Sequence, residues 1–246
     1  FYNNALLSSN TAVARLWNTA YNHIYAANAV IEGSEGSASL TSSNKKQLLG
    51  EALFIRALLH LYLTGIYGDI PYITTTDYQN NMKVQKLPQK DIYSLINKDL
   101  QSALLSLPAS DLNTSRTRPG RAAVNALLAR VYLYDNKWAE AANSASAVIN
   151  ETAKYNLETP SNVFLKDSNE TIFQLQSSAA GRNTNEAISY IFLSAPPPLV
   201  SLSNNLINSF SAADLRKSNW TASVSNGSSV WYYAFKYKKN NNTAAS

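Results

Sequence analysis

Two histidines, sixteen acidic side chains and no cysteine are the usual raw material for a catalytic or metal site in this 246-residue chain. His23 and His60 both fall in helical segments, and neither has a second ligand at i+4, so no zinc-type pair forms. A histidine-dependent triad lacks its Gly-x-Ser-x-Gly turn, and the glycines never gather into a phosphate-cradling loop. Without cysteine there is no thiolate nucleophile, no cysteine zinc site and no disulfide framework. Glycosidase chemistry needs two carboxylates roughly 5 to 9.5 Å apart across a cleft. No acid here stands in a recognisable catalytic setting. Asp69, in Tyr67-Gly68-Asp69-Ile70-Pro71, is placed to organise a turn, and Asp214-x-Arg216 reads as a local ion pair. Arg56 and Asp99 each interrupt an apolar helical pattern, as buried polar links between helices would. The expectation is a protein with no catalytic residues, no metal and no cofactor, and therefore not an enzyme.

Aromatic residues are the informative excess. Fifteen Tyr and four Trp against seven Phe favour rings with a polar edge, which suit wet interfaces. Asparagine runs such as Asn3-Asn4, Asn80-Asn81 and Asn240-Asn241-Asn242 make the surface polar through neutral groups more than through charge. That chemistry is common in secreted bacterial proteins. The 21 basic and 16 acidic residues give a net +5, scattered and without a stripe, which argues against nucleic acid. No apolar run approaches the roughly 20 residues of a spanning helix. Since Phe1 opens neither an initiator Met nor a signal peptide, any targeting segment or lipid anchor is expected outside these residues.

The elements that must position these residues are mainly helical. Trp17, Ala20, Ile24, Ala27 and Ile31 recur at spacings of three and four, and Gly33 supplies a stop. After a Ser-rich loop, Asn44 caps a second helix carrying Leu48, Ala52, Ile55, Leu59, Tyr62 and Ile66, ended by Gly65, Gly68 and Pro71. A third carries Ile92, Ile96, Leu100, Ala103 and Leu107; a fourth runs from Arg121 to about Tyr134 and a fifth from Trp138 to about Asn150. Leu128, Ala129, Tyr132, Trp138, Ala141, Ala145 and Val148 fall at tetratricopeptide offsets, with Asn125 and Ala153 as departures from the repeat. Trp17, Tyr21, Tyr62, Tyr132 and Trp138 are accordingly expected at packing positions. Helical periodicity fades after Asn150. Residues 170–176 alternate as a half-buried strand, Ala195-Pro196-Pro197-Pro198 excludes helix, and residues 202–210 read as a short helix. Residues 230–237 read as a strand with Trp231, Tyr233, Phe235 and Tyr237 on one face and Tyr232 on the other. The expected fold is mainly α: tetratricopeptide-like helical hairpins over residues 12–150, with a loop-rich excursion carrying short β-strands over 151–246.

This succession resembles the SusD/RagB family of outer-membrane nutrient-binding lipoproteins of Bacteroidetes. The matching elements are Trp17-x-x-x-Tyr21-x-x-Ile24-x-x-Ala27-Asn28, Glu51-Ala-Leu-Phe-Ile-Arg56-Ala57 and Tyr67-Gly68-Asp69-Ile70-Pro71. They continue with Tyr93-x-x-Ile96-x-x-Asp99-Leu100-x-x-Ala103, Leu107-Pro108, Gly120-Arg121-Ala122, Ala129-Arg130-Val131-Tyr132-Leu133-Tyr134 and Trp138-x-x-Ala141. Glu170-x-Ile172-Phe173, Asp214-x-Arg216 and Phe235-Lys236-Tyr237 follow in the family's order. The resemblance implies a tetratricopeptide scaffold with an irregular ligand-binding face. It also implies a lipid-anchored, surface-exposed place on the outer membrane, a glycan ligand and a SusC-like TonB-dependent transporter as partner. The chain would then be one SusD-like domain, incomplete at both ends, attached to the membrane only through an N-terminal lipid anchor that it does not include.

Sugar recognition needs flat apolar faces for pyranose rings and polar groups for hydroxyls. With the helical stripes set aside, the candidate ligand residues are Trp220, Trp231 and Tyr232, near Asn219 and Asn226, together with Tyr2 and Asn3 before the first helix. The competing reading is a tetratricopeptide-type interaction module that binds a peptide or partner protein.

Overall fold

The computed structural model describes residues 7, 9–110, 115–175 and 183–239. The chain divides into two compact units, Phe1–Glu151 and Thr152–Ser246. The first holds α1 (Thr11–Gly36), α2 (Ser42–Tyr67), the short α3 (Tyr78–Asn81), α4 (Gln89–Ser106), α5 (Arg121–Tyr134) and α6 (Trp138–Ile149). Helix α2 packs against α1 and α4, α4 against α5, and α5 against α6.

Helix α1 starts where the Asn10 side chain accepts the Ala12 N–H at 2.9 Å, and it buries Ala20, Ile24, Ala27 and Ile31 as their spacing predicts. It does not stop at Gly33. A helical glycine costs only about 1 kcal/mol relative to alanine, and Ile31 and Ser34 on either side are buried. Thr41, not Asn44, caps α2, its hydroxyl accepting the Asn44 N–H. That helix buries Ala52, Leu53, Phe54, Ala57, Leu61 and Leu63, a wider and rotated face compared with the expected stripe. Tyr62 and Ile66 consequently lie 56% and 57% exposed, so Tyr62 is not a core ring. The cause is central position: a helix flanked on two sides is apolar around most of its circumference. For the same reason α2, against the expectation that no segment would qualify, is alone among the described residues long and apolar enough by composition to cross a membrane, but 56% of its apolar window is buried in the protein, as befits a core helix.

Helices α4 and α5 bury Ile92, Ile96, Leu100, Ala103, Leu128 and Tyr132 as spaced, and α6 buries Ala141 and Val148. Trp138 departs from its expected packing role. It is 60% exposed, and with Leu133 and Tyr134 it lines an open apolar groove of about 470 Å³ between α5 and α6.

The two expected polar interruptions meet each other. Arg56 on α2 donates through Nε and one terminal nitrogen to both oxygens of Asp99 on α4, each at 2.7 Å. Its other terminal nitrogen donates to Asn28 Oδ1 on α1 and to the Thr74 carbonyl. Asn28 Nδ2 in turn donates to the Ile73 and Thr75 carbonyls, and the Tyr72 hydroxyl to Asp99. His60 Nε2 accepts the Ile73 N–H, which puts the imidazole proton on Nδ1, where it is donated to the Arg56 carbonyl at 2.9 Å. Tyr21 donates to the Pro71 carbonyl, and Asp69 accepts the Gln89 N–H, so Asp69 does order the turn beyond α2. The segment 69–76 is thus laced to three helices by side chains. Burial lowers the Arg56 basicity, and the Asp99 hydrogen bonds and charge more than reverse this. Burial raises the Tyr72 hydroxyl well above its ordinary range and lowers His60 from 6.5 to about 4.

The second unit holds α7 (Asn185–Tyr190), α8 (Asn204–Ser209), α9 (Leu215–Trp220), β1 (Thr221–Ser225) and β2 (Val230–Ala234). The strands form an antiparallel hairpin with Ser225 opposite Val230 and Val224 opposite Trp231. Its turn is built by Asn226, whose Oδ1 accepts the N–H groups of Ser228 and Ser229, and by Gly227 at φ +93°. Tyr233 is buried with Ala187, Ile191 and Phe192, and Trp231, Phe235 and Tyr237 pack partly buried beside it, the alternation read from sequence. The strand expected over 170–176 is absent from its described part, 170–175, where no neighbouring strand completes a ladder. Glu170 is instead a loop residue whose carboxylate accepts the Glu158 N–H.

Two glycine substitutions should act in opposite directions. A Cβ on Gly50 would stand 2.6 Å from Leu107 Cγ and 3.2 Å from the Ala103 carbonyl, whereas one on Gly33 meets nothing within 4 Å. Gly50→Ala should lower stability by about 1–3 kcal/mol through overpacking, and Gly33→Ala should raise it by about 0.5–1 kcal/mol; urea midpoints of the two variants check this. His60 predicts a pH dependence. Below pH 6.5 the unfolded chain takes up a proton that the folded chain refuses until about pH 4. Stability should therefore fall as the pH is lowered through that window, by at most about 1 kcal/mol per pH unit from this one group. His60→Gln should remove that share of the slope in urea titrations at several pH values, and an unaltered slope would assign it elsewhere.

Candidate functional site

In the second unit, the isolated bridge between Leu202 and Tyr232 lays residues 201–204 alongside β2, with the Leu202 N–H donating to the Tyr232 carbonyl at 2.8 Å. Ser203 then caps α8 by accepting the Leu206 N–H. This alignment leaves a depression of about 360 Å³ lined by Ser201, Leu202, Ser203, Asn204, Ser229, Val230 and Trp231. Trp231 anchors it: part of the residue packs on the Tyr233 cluster, while the residue also borders the open space. Among the described residues, the Ser201 hydroxyl and the Asn204 amide have no hydrogen-bond partner and are exposed, so both are available to a ligand. An indole beside hydroxyls and an amide has the composition that a small polyol with one apolar face would meet.

The five residues singled out from sequence are not brought together at this depression. Trp231 lines it. Tyr232, its neighbour on β2, projects from the opposite face of the strand and is half-buried. Trp220 is tied up inside the unit: its Nε1 donates to the Pro160 carbonyl at 2.6 Å, and its ring meets Phe164 edge-on at 5.2 Å. Tyr2 and Asn3 lie outside the described residues. Ser201, Leu202, Ser203, Asn204 and Ser229 went unread, because only the Leu202–Tyr232 bridge and the hairpin turn carry them to Trp231. The Asn226-Gly227 pair was the available signal for that turn.

Asp214 and Arg216 form the local pair expected, at 2.6 Å, with the Asp214 carboxylate also accepting the Arg216 N–H at the start of α9. Those hydrogen bonds hold Asp214 below the ordinary carboxylate range. His60 and Asp99 are consumed by the buried network of the first unit. Among the described residues no group of three His, Asp or Glu side chains could hold a metal ion.

A model of the SusD-like family, described as starch-binding and associating with the outer membrane, matches residues 1–133. The chain belongs to this family. SusD-like protein P2 of Formosa agariphila is 34% identical to it over 165 residues, 66% of this chain and 32% of that protein. The chain thus spans about a third of that SusD-like relative's length. The crystal structure of a SusD superfamily protein from Parabacteroides distasonis superposes with a TM-score of 0.76 at 25% identity, over 94% of this chain and 57% of that one. A SusD-like carbohydrate-binding protein from Bacteroides fragilis shares the fold, with a TM-score of 0.61 at 22% identity over 68% of this chain and 34% of that one. The family match lies in the first unit, and the Parabacteroides structure extends the likeness of fold across most of the second.

Trp220 tests whether its indole is a strut of the second unit. Trp220→Phe keeps a ring beside Phe164 and leaves the Pro160 carbonyl without its donor. Stability should drop by about 1 kcal/mol, read as a lower urea midpoint. A midpoint equal to wild type would show that the bond contributes nothing.

Proposed function

We propose that this SusD-like chain captures oligosaccharide at the bacterial cell surface without altering it chemically and passes it to a SusC-like TonB-dependent transporter, with an N-terminal lipid anchor as its only attachment to the outer membrane. The family match over residues 1–133 carries this reading, since the matched family is one of starch binding in association with the outer membrane. Supporting it, the second unit offers an aromatic residue among neutral polar groups. Trp231 is the proposed stacking ring, with Tyr232, Tyr2 and Asn3 as proposed secondary contacts, while Trp220 supports the unit from within. No cofactor, metal or nucleic acid enters the mechanism: stacking and hydrogen bonds hold the glycan, and modest affinity releases it.

Affinity electrophoresis of the whole chain through gels cast with starch, other neutral glucans, xylan, pectin and alginate tests the reading. Retardation in at least one gel is expected, with no new reducing ends after prolonged incubation, and the transporter should co-purify from native outer membranes. Absence of retardation in every gel overturns glycan capture. If a peptide is captured instead, the α5–α6 groove with its exposed Leu133, Tyr134 and Trp138 supports the protein-interaction reading. Release of reducing ends would make the protein an enzyme.

A further inference from the structure

We infer that the depression beside Trp231 is a subsite for a single uncharged sugar residue, an inference that rests on the glycan-binding reading and specifies its ligand class. Size comes first. A volume of about 360 Å³ lies at the lower end of the roughly 300–1,000 Å³ typical of small-molecule sites, which suits a chain end or a side branch. Charge decides the rest. The lining consists of three serines, one asparagine, Leu202, Val230 and Trp231, with no ionisable side chain among them. A uronate or sulfate group seated there would give up hydration and meet no countercharge, whereas ring hydroxyls find the Ser201 and Asn204 groups and an aromatic neighbour for their C–H face. This local neutrality runs against the chain as a whole, whose net +5 would draw acidic glycans to its surface. The two attractions are separable, because ionic attraction weakens with salt and stacking does not.

The test uses calorimetry of the whole chain with a neutral and a uronate-containing oligosaccharide of equal length, at low and at high salt. The neutral ligand should bind alike at both salts. Trp231→Ala should weaken its binding at least about tenfold. Asn204→Ala, at an exposed position that leaves the fold intact, should weaken it about threefold or more. Circular dichroism checks the fold of the Trp231 variant, and the Asn204 variant keeps the inference exposed to refutation if that fold is lost. Neutral binding indifferent to both substitutions, or a stronger, salt-resistant binding of the uronate ligand, overturns the subsite while leaving glycan capture standing. If wild-type chain binds neither ligand, nor any glycan in the gels, both readings fall.

Discussion

The buried bond between Arg56 and Asp99 is the constraint on which the first unit rests. Two charges removed from water cost several kcal/mol each unless geometry and further hydrogen bonds compensate. Here both carboxylate oxygens are engaged at 2.7 Å, and Tyr72, Asn28 and the Thr74 carbonyl take up remaining capacity. Loss of either Arg56 or Asp99 would leave the other's charge stranded between helices. The pair therefore selects a single docking of α2 on α4. Through Asn28 it ties α1 to the same arrangement, and through Thr74 and Tyr72 it fixes segment 69–76 against the helices. Apolar burial by Ile24, Leu63, Ile96 and Leu100 supplies driving force without direction. The ionic network supplies the direction.

The second unit solves a harder problem with less material. Among the described residues its helices are six residues each and its sheet is one hairpin, so neither helix propensity nor an extended ladder can stabilise it alone. Stability comes from rings used for both faces and edges. Tyr233 packs on Phe192, Trp220 meets Phe164 while donating to a backbone carbonyl, and Lys236 lies over Phe164 and Tyr237. Much of the aromatic excess that marks this sequence is spent on holding loops together. Trp231 does part of that work and still borders open space.

Much of the fold was legible in the chain. The stripes of α1 and α4 and the limits of α5 and α6 follow from spacing, and the interruptions at Arg56 and Asp99 announced a polar link. The alternating rings of β2 announced a one-sided strand. Where reading and structure part, the cause is tertiary each time. Gly33 fails to break α1 because both its flanks are packed. Tyr62 is exposed because two neighbours, not one, rotate and widen the buried face of α2. Residues 170–175 form no strand because alternation without a partner has nowhere to place its hydrogen bonds.

The sequence by itself determined the class of fold, the family through an ordered set of short motifs, and the lack of cysteine chemistry, since these depend on residue identity and on periods of 3.6 and 2 along one chain. The candidate site was beyond its reach. Trp231 could be nominated as an aromatic outside the helical stripes, but Ser201, Leu202, Asn204 and Ser229 become its neighbours only when one bridge between Leu202 and Tyr232 and one turn at Asn226 fold them together. Trp220 carried the same nomination and turned inward, because a carbonyl at Pro160, sixty residues away in sequence, happened to lie within reach of its N–H. Which ring faces solvent and which becomes a strut is decided by such long-range contacts, and no local pattern encodes them.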